Sequence, residues 1–128
     1  GPATLESVTF DPPPPEKTDT DWTATAYASV TEAVSGGTWK IEAKLGFLEV
    51  LNVKGDLCSP KSISLPANGG TLKWGGVKCP IAANSVVPFN MTANVASSDP
   101  SVTVTINVNT YDQSGKDLSC LQISCKLS

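Results

Sequence analysis

Histidine and arginine are both missing from this sequence, whose nine basic residues are all lysine. Without histidine the chain has no side chain that ordinarily changes charge near neutral pH, which excludes Ser-His, Cys-His and His-metal sites. Without arginine it lacks the planar fork that grips carboxylates and phosphates at two points. No apolar run approaches the roughly 20 residues of a membrane-spanning helix. The formal net charge is -3, and no lysine cluster makes the positive face that nucleic-acid binding requires. A Ser-Lys or paired-carboxylate enzyme is the remaining catalytic option. The seven Asp and five Glu fall mostly in turns or on polar strand faces, so we expect no enzyme, no catalytic residue and no cofactor. Aromatics are also sparse, at 6% of residues.

What is present is enough for one domain. A chain of 128 residues that is 40% hydrophobic buries roughly two thirds of its unfolded surface around a single core. The opening Gly1-Pro2 matches the scar left by protease removal of an expression tag, and residues 3–128 are expected to form one domain. No secretory leader, transit segment or lipidation signal is visible at its start. The four cysteines, Cys58, Cys79, Cys120 and Cys125, include no Cys-x-x-Cys pair, and no histidine is available to complete a zinc site. They point to disulfides, an oxidising compartment and no metal. Asn90-Met91-Thr92 is a glycosylation sequon consistent with a secretory route and a surface-facing Asn90.

Apolar residues recur with a period of two almost throughout, the signature of half-buried strands. Val102, Val104, Ile106 and Val108 alternate with Thr103, Thr105, Asn107 and Asn109. Trp39, Ile41, Ala43 and Leu45 oppose Lys40, Glu42 and Lys44, and Leu121, Ile123, Cys125 and Leu127 form one face of a final strand. Trp22, Ala24, Ala26, Ala28 and Val30 alternate in the same way; the five threonines between Thr18 and Thr31 argue against a helix there. Residues 3–10 and 86–95 make two more strands, with shorter ones near 48–54 and 71–77. Turns fall at Pro12 to Pro15, Ser35-Gly36-Gly37, Asn68-Gly69-Gly70, Gly75-Gly76, Asp99-Pro100 and Ser114-Gly115. About seven to nine short strands so punctuated predict an all-β fold, an immunoglobulin-like two-sheet antiparallel β-sandwich.

Three stretches carry a resemblance. Gly55-Asp56-Leu57-Cys58 is followed after an intervening loop by Lys78-Cys79-Pro80-Ile81; Asp99-Pro100-Ser101-Val102 leads into the alternating strand; and Ser114-Gly115-Lys116-Asp117-Leu118-Ser119-Cys120-Leu121-Gln122-Ile123 reads as a hairpin with a terminal strand. In that order and spacing, with a looser match through Leu5-Glu6-Ser7-Val8-Thr9-Phe10, the chain resembles the ML lipid-recognition family over residues 4–127. The resemblance implies a Cys58–Cys79 disulfide, worth about 3 kcal/mol from the entropy of closing a loop of that length. It departs at Cys120, whose expected partner near the amino terminus is missing, leaving Cys120 and Cys125 open.

The resemblance further implies a sandwich parted at one edge, with an internal hydrophobic cavity that holds a sterol, fatty acid, phospholipid or glycolipid. Lipid would be the ligand, membrane contact transient, a lipid-dependent enzyme or receptor a partner, and the location secreted or an endolysosomal or vacuolar lumen. Inward strand faces, with the loops that the family uses as a cavity mouth, nominate Trp39, Ile41, Phe47, Val102, Val104, Ile106, Leu121 and Ile123 as lining, where plain core packing is the alternative for each. Phe47-Leu48, Val86-Val87 and Phe89, beside polar turns, are alternative mouth residues able to touch a bilayer. Trp74, beside two glycines, is expected in a loop, pinning it or anchoring a ligand. Lys73 and Lys78 nearby are candidates for an acidic headgroup, or ordinary solvated lysines. The competing reading is a closed immunoglobulin-like adhesion or surface-interaction domain, since the same apolar residues also suit a filled core.

Overall fold

A computed structural model describes the backbone of residues 3–11, 20–96 and 103–126, and their side chains except at 3–6, 67, 104 and 123–126. Among the described residues nine strands form two antiparallel sheets: β1 (Ala3–Asp11), β2 (Trp22–Val30), β3 (Gly37–Leu45), β4 (Leu48–Asp56), β5 (Lys61–Ser64), β6 (Gly70–Trp74), β7 (Ser85–Val95), β8 (Thr103–Asp112) and β9 (Asp117–Lys126). The five-stranded sheet runs β1-β2-β7-β6-β5 and the four-stranded sheet β4-β3-β8-β9. β1 approaches β9 and closes one side of the sandwich, while β5 and β4 are the outer strands on the other.

Period-two patterning explains the layers. In β2, Trp22, Ala24, Ala26, Ala28 and Val30 are buried, and the intervening Thr23, Thr25, Tyr27 and Ser29 form the outer face. β7 does the same with Val87, Phe89, Met91, Ala93 and Val95, and the two strands pair without a break from Trp22↔Ala93 to Val30↔Ser85. β3 buries Trp39, Ile41 and Ala43. The indoles of Trp39 and Trp74 meet across the interface at a centroid distance of 6.3 Å, and Trp74 meets Phe89 at 6.1 Å; each such pair adds about 0.5–1.5 kcal/mol beyond its buried area. Gly55 makes room for this cluster. A Cβ there would sit 2.4 Å from the Trp39 ring, so only glycine lets β4 lie over the indole.

Chain reversals define two ends. At one, β2 finishes and β3 begins, tied by Asn84 N to Val30 O at 2.7 Å and Leu57 N to Gly37 O at 3.0 Å. The Cys58–Cys79 disulfide lies here, with a Cα separation of 5.8 Å. Trp74 Nε1 donates to the Leu57 carbonyl at 3.0 Å and pins the same loop. The buried Asp112 carboxylate accepts from Ser114 N and Lys116 N at 2.8 and 2.9 Å, which organises the β8–β9 turn. At the opposite end β3 turns into β4 through Gly46-Phe47. Gly46 has φ +60°, as the first central position of a two-residue hairpin turn between the paired Leu45 and Leu48 demands.

Several boundaries differ from the sequence reading. β4 extends to nine residues, because half-buried Val50, Leu51 and Val53 pack on the core from an edge strand. β5 escaped notice since Ile63 is the one buried residue of its four. Trp74 ends β6 and is only 2% exposed, so it belongs to the core and not to a free loop. β9 runs unbroken from Asp117 to Lys126, which keeps Cys120 and Cys125 in one strand; Cys120 is exposed and unpaired.

Candidate functional site

Between the sheets lies a cavity of about 20 Å³, bounded by Ala24 and Ala26 of β2, Trp74 of β6, Phe89 and Met91 of β7, Val108 and Thr110 of β8, and Ser119 and Leu121 of β9. Both sheets contribute, so its width follows directly from their separation. The space opens where β2 offers only methyl groups: Ala26 pairs with Phe89 and Ala24 with Met91, setting one small wall beside one large one. None of the nine lining residues is charged. The two hydroxyls, Thr110 Oγ1 and Ser119 Oγ, bond to each other at 2.6 Å, which satisfies both and leaves the wall apolar.

Beyond these two hydroxyls the lining carries no ionisable side chain. Among the described residues no group of three metal-ligating side chains gathers. What the site can do is shelter hydrocarbon. Its present volume holds about one water, while drug-sized ligands occupy roughly 300–1,000 Å³. Admission of a lipid chain therefore requires the sheets to part. The expected roomy interior is instead close-packed, with the rings of Trp39, Trp74 and Phe89 in mutual contact inside the core.

The sequence-nominated residues fall in different places. Leu121 and Phe89 border the cavity, the latter from the interior and not from a mouth. Trp39, Ile41 and Ile106 are at most 1% exposed but are not among the lining residues; they form the floor of the core. Val102 lies outside the described residues, and Val104 and Ile123 are placed by backbone register alone, opposite Cys125 and Ile106. Phe47, expected inside, is fully exposed at 105%, because the two-residue turn carries it past the last strand pair. Leu48 beside it is exposed at 68%. Val86, at 61%, sits on the outer face of the five-stranded sheet near the disulfide end. The suggested mouth residues thus do not converge: Phe47 and Leu48 occupy one end, Val86 the other, and Val87 is buried. Lys73 and Lys78 are solvent-exposed.

Sequence reasoning missed Ala24, Ala26, Met91, Val108, Thr110 and Ser119 as lining, and had Trp74 in a loop, pinning it or anchoring a ligand. Signals existed for some. Thr110 continues the even-numbered inward face of β8, Ser119 the odd-numbered face of β9, and the inward alanines of β2 mark where volume is lacking.

A two-sheet sandwich with an uncharged cavity between its layers is a geometry able to hold an apolar ligand once the sheets separate. The family model described as the ML domain matches residues 2–127, and the chain belongs to that family. It is 30% identical over 123 residues to a Dictyostelium discoideum protein named "Putative phosphatidylglycerol/phosphatidylinositol transfer protein", covering 96% of this chain and 77% of the relative. Among solved structures, a Niemann-Pick type C2 protein from the Japanese carpenter ant superposes with a TM-score of 0.63 at 14% identity, covering 100% of this chain and 94% of that one. That likeness is one of fold.

Proposed function

We propose that this protein binds a lipid between its two sheets and transfers or presents it, without catalysis. The observation that carries the reading is the uncharged cavity bounded by both sheets in a chain of the ML domain family. The Dictyostelium relative's name makes phosphatidylglycerol and phosphatidylinositol the first ligands to test. Burial of a fourteen-carbon chain yields on the order of 11 kcal/mol at about 0.8 kcal/mol per methylene. Association costs about 4–15 kcal/mol, to which separating the sheets adds. The balance suits a carrier that must release its cargo. No observation favours the adhesion reading.

Membrane contact for exchange fits the β3–β4 turn. Phe47 and Leu48 are exposed there, and Lys44, paired across the strands with Glu49, lies one turn-length away. The Cys58–Cys79 disulfide supports a secretory or endolysosomal setting. A lipid-dependent enzyme or receptor is a partner compatible with the same cavity.

The test is transfer of fluorescent phosphatidylglycerol and phosphatidylinositol between vesicles, combined with native mass spectrometry of the loaded protein. We expect a one-to-one complex and acceleration proportional to protein concentration. Absence of both for phospholipids, sterols and fatty acids alike would overturn the reading.

A further inference from the structure

Asn90 sits in the middle of β7 on the outer face of the five-stranded sheet, half-buried between its neighbours. On one side Thr25 Oγ1 donates to Asn90 Oδ1 at 2.7 Å. The amide is thereby oriented, with its carbonyl limb engaged and its Nδ2 limb turned away from Thr25. On the other side β6 has just ended, and Gly75 N donates to Asn90 O at 2.9 Å. A Cβ on Gly75 would lie 3.1 Å from Asn90 Cβ, so the glycine keeps open a notch beside the amide. Thr92, two residues on, shares this face and bonds Thr23 at 2.9 Å.

The same face carries an uncovered apolar strip. Tyr27 is 37% exposed and Val86 61%, and exposed Pro88 pairs with Tyr27 between them. Pro88 is tolerated because its nitrogen faces the side where β6 no longer pairs. From Asn90 the strip begins about 7 Å away at Pro88 and reaches about 13 Å at Val86, by strand rise. A disulfide such as Cys58–Cys79 persists in the oxidising, secretory environment where sequons are modified, and the inference rests on that proposed setting.

We infer that Asn90 carries an N-linked glycan whose first sugars fold over Tyr27, Pro88 and Val86. In the transfer step Nδ2 of Asn90 displaces the diphosphate from C1 of a polyprenyl-diphosphate-linked oligosaccharide. A C1–N bond forms, the C1–O bond breaks, one amide proton passes to a base of the transferase, and the polyprenyl diphosphate leaves. Thr92 supplies the hydroxyl that the sequon requires. The notch at Gly75 accommodates the first sugar, and the apolar C–H faces of the sugars cover the strip. That sheet face is then closed to other partners.

Secretion of the chain from a eukaryotic host tests this. The intact mass should show one glycan, and enzymatic release should convert Asn90 to Asp in its peptide. Thr92→Ser should retain the glycan and Thr92→Ala lose it. Nitration of Tyr27, read against Tyr111 on the outer face of the other sheet, should be several-fold slower with the glycan than after its removal from folded protein. An unmodified Asn90, or an unchanged Tyr27 to Tyr111 ratio on removal, overturns the inference. Lipid transfer is measured separately, so failure here leaves the carrier reading untouched.

Discussion

Phe89→Ala separates a cavity that receives lipid from one that is merely a packing flaw. Phe89 is 5% exposed, pairs with Ala26, and holds its ring 6.1 Å from Trp74. In delipidated protein its truncation should cost about 3–5 kcal/mol, the sum of lost transfer energy and the void left behind. If a lipid tail occupies this space, the bound chain refills part of the void, and the loss in loaded protein should be smaller by about 1–3 kcal/mol. Ile41→Ala is the control. Ile41 is fully buried but does not border the cavity, so its cost of about 2–5 kcal/mol should be the same in both states. Urea unfolding of delipidated and loaded protein measures all four differences, with an unchanged slope confirming that unfolding exposes the same surface. Equal losses for Phe89→Ala with and without lipid, or equal rescue of Ile41→Ala, would refute the assignment of this cavity to the ligand.

Gly55→Ala should destabilise by about 1–3 kcal/mol through collision with Trp39, read as a lower urea midpoint and altered indole fluorescence. Replacing Cys58 and Cys79 by serine should cost about 3 kcal/mol through release of the loop constraint, with a matching drop in Tm; wild-type protein held in reductant should lose the same amount. Phe47→Asp should leave stability within about 0.5 kcal/mol, since the side chain is fully exposed, yet slow lipid transfer and weaken vesicle sedimentation. Asp112→Ala should cost about 1–3 kcal/mol by leaving the Ser114 and Lys116 amides without their acceptor, detected as faster hydrogen exchange at the β8–β9 turn as well as lower stability.

Much of the fold was legible because strand patterning is local. The alternations in β2, β3 and β8 each name an inward face, and burial follows them except at Leu45, which lies beside the β3–β4 turn and is 37% exposed. Phe89 shows where that reading stopped. Its odd-numbered place in β7 is an inward one, but neighbouring polar turns suggested a mouth, and only the sheet opposite makes it interior. Phe47 failed in the reverse sense: it was drawn inward by its apolar character, whereas Gly46 at φ +60° turns the chain before another inward position is reached. β5 had too little apolar signal in four residues to register as a strand.

The amino-acid sequence by itself determined an antiparallel β-sandwich, the absence of histidine and arginine chemistry, and motifs resembling the ML family, all of which follow from residue type and spacing along one chain. Only the tertiary structure decided which inward residues border a shared space, and that this space is narrow. Those properties depend on how closely two sheets approach and on which large rings meet small ones across the gap. That is a relation between strands far apart in sequence, and no local periodicity contains it.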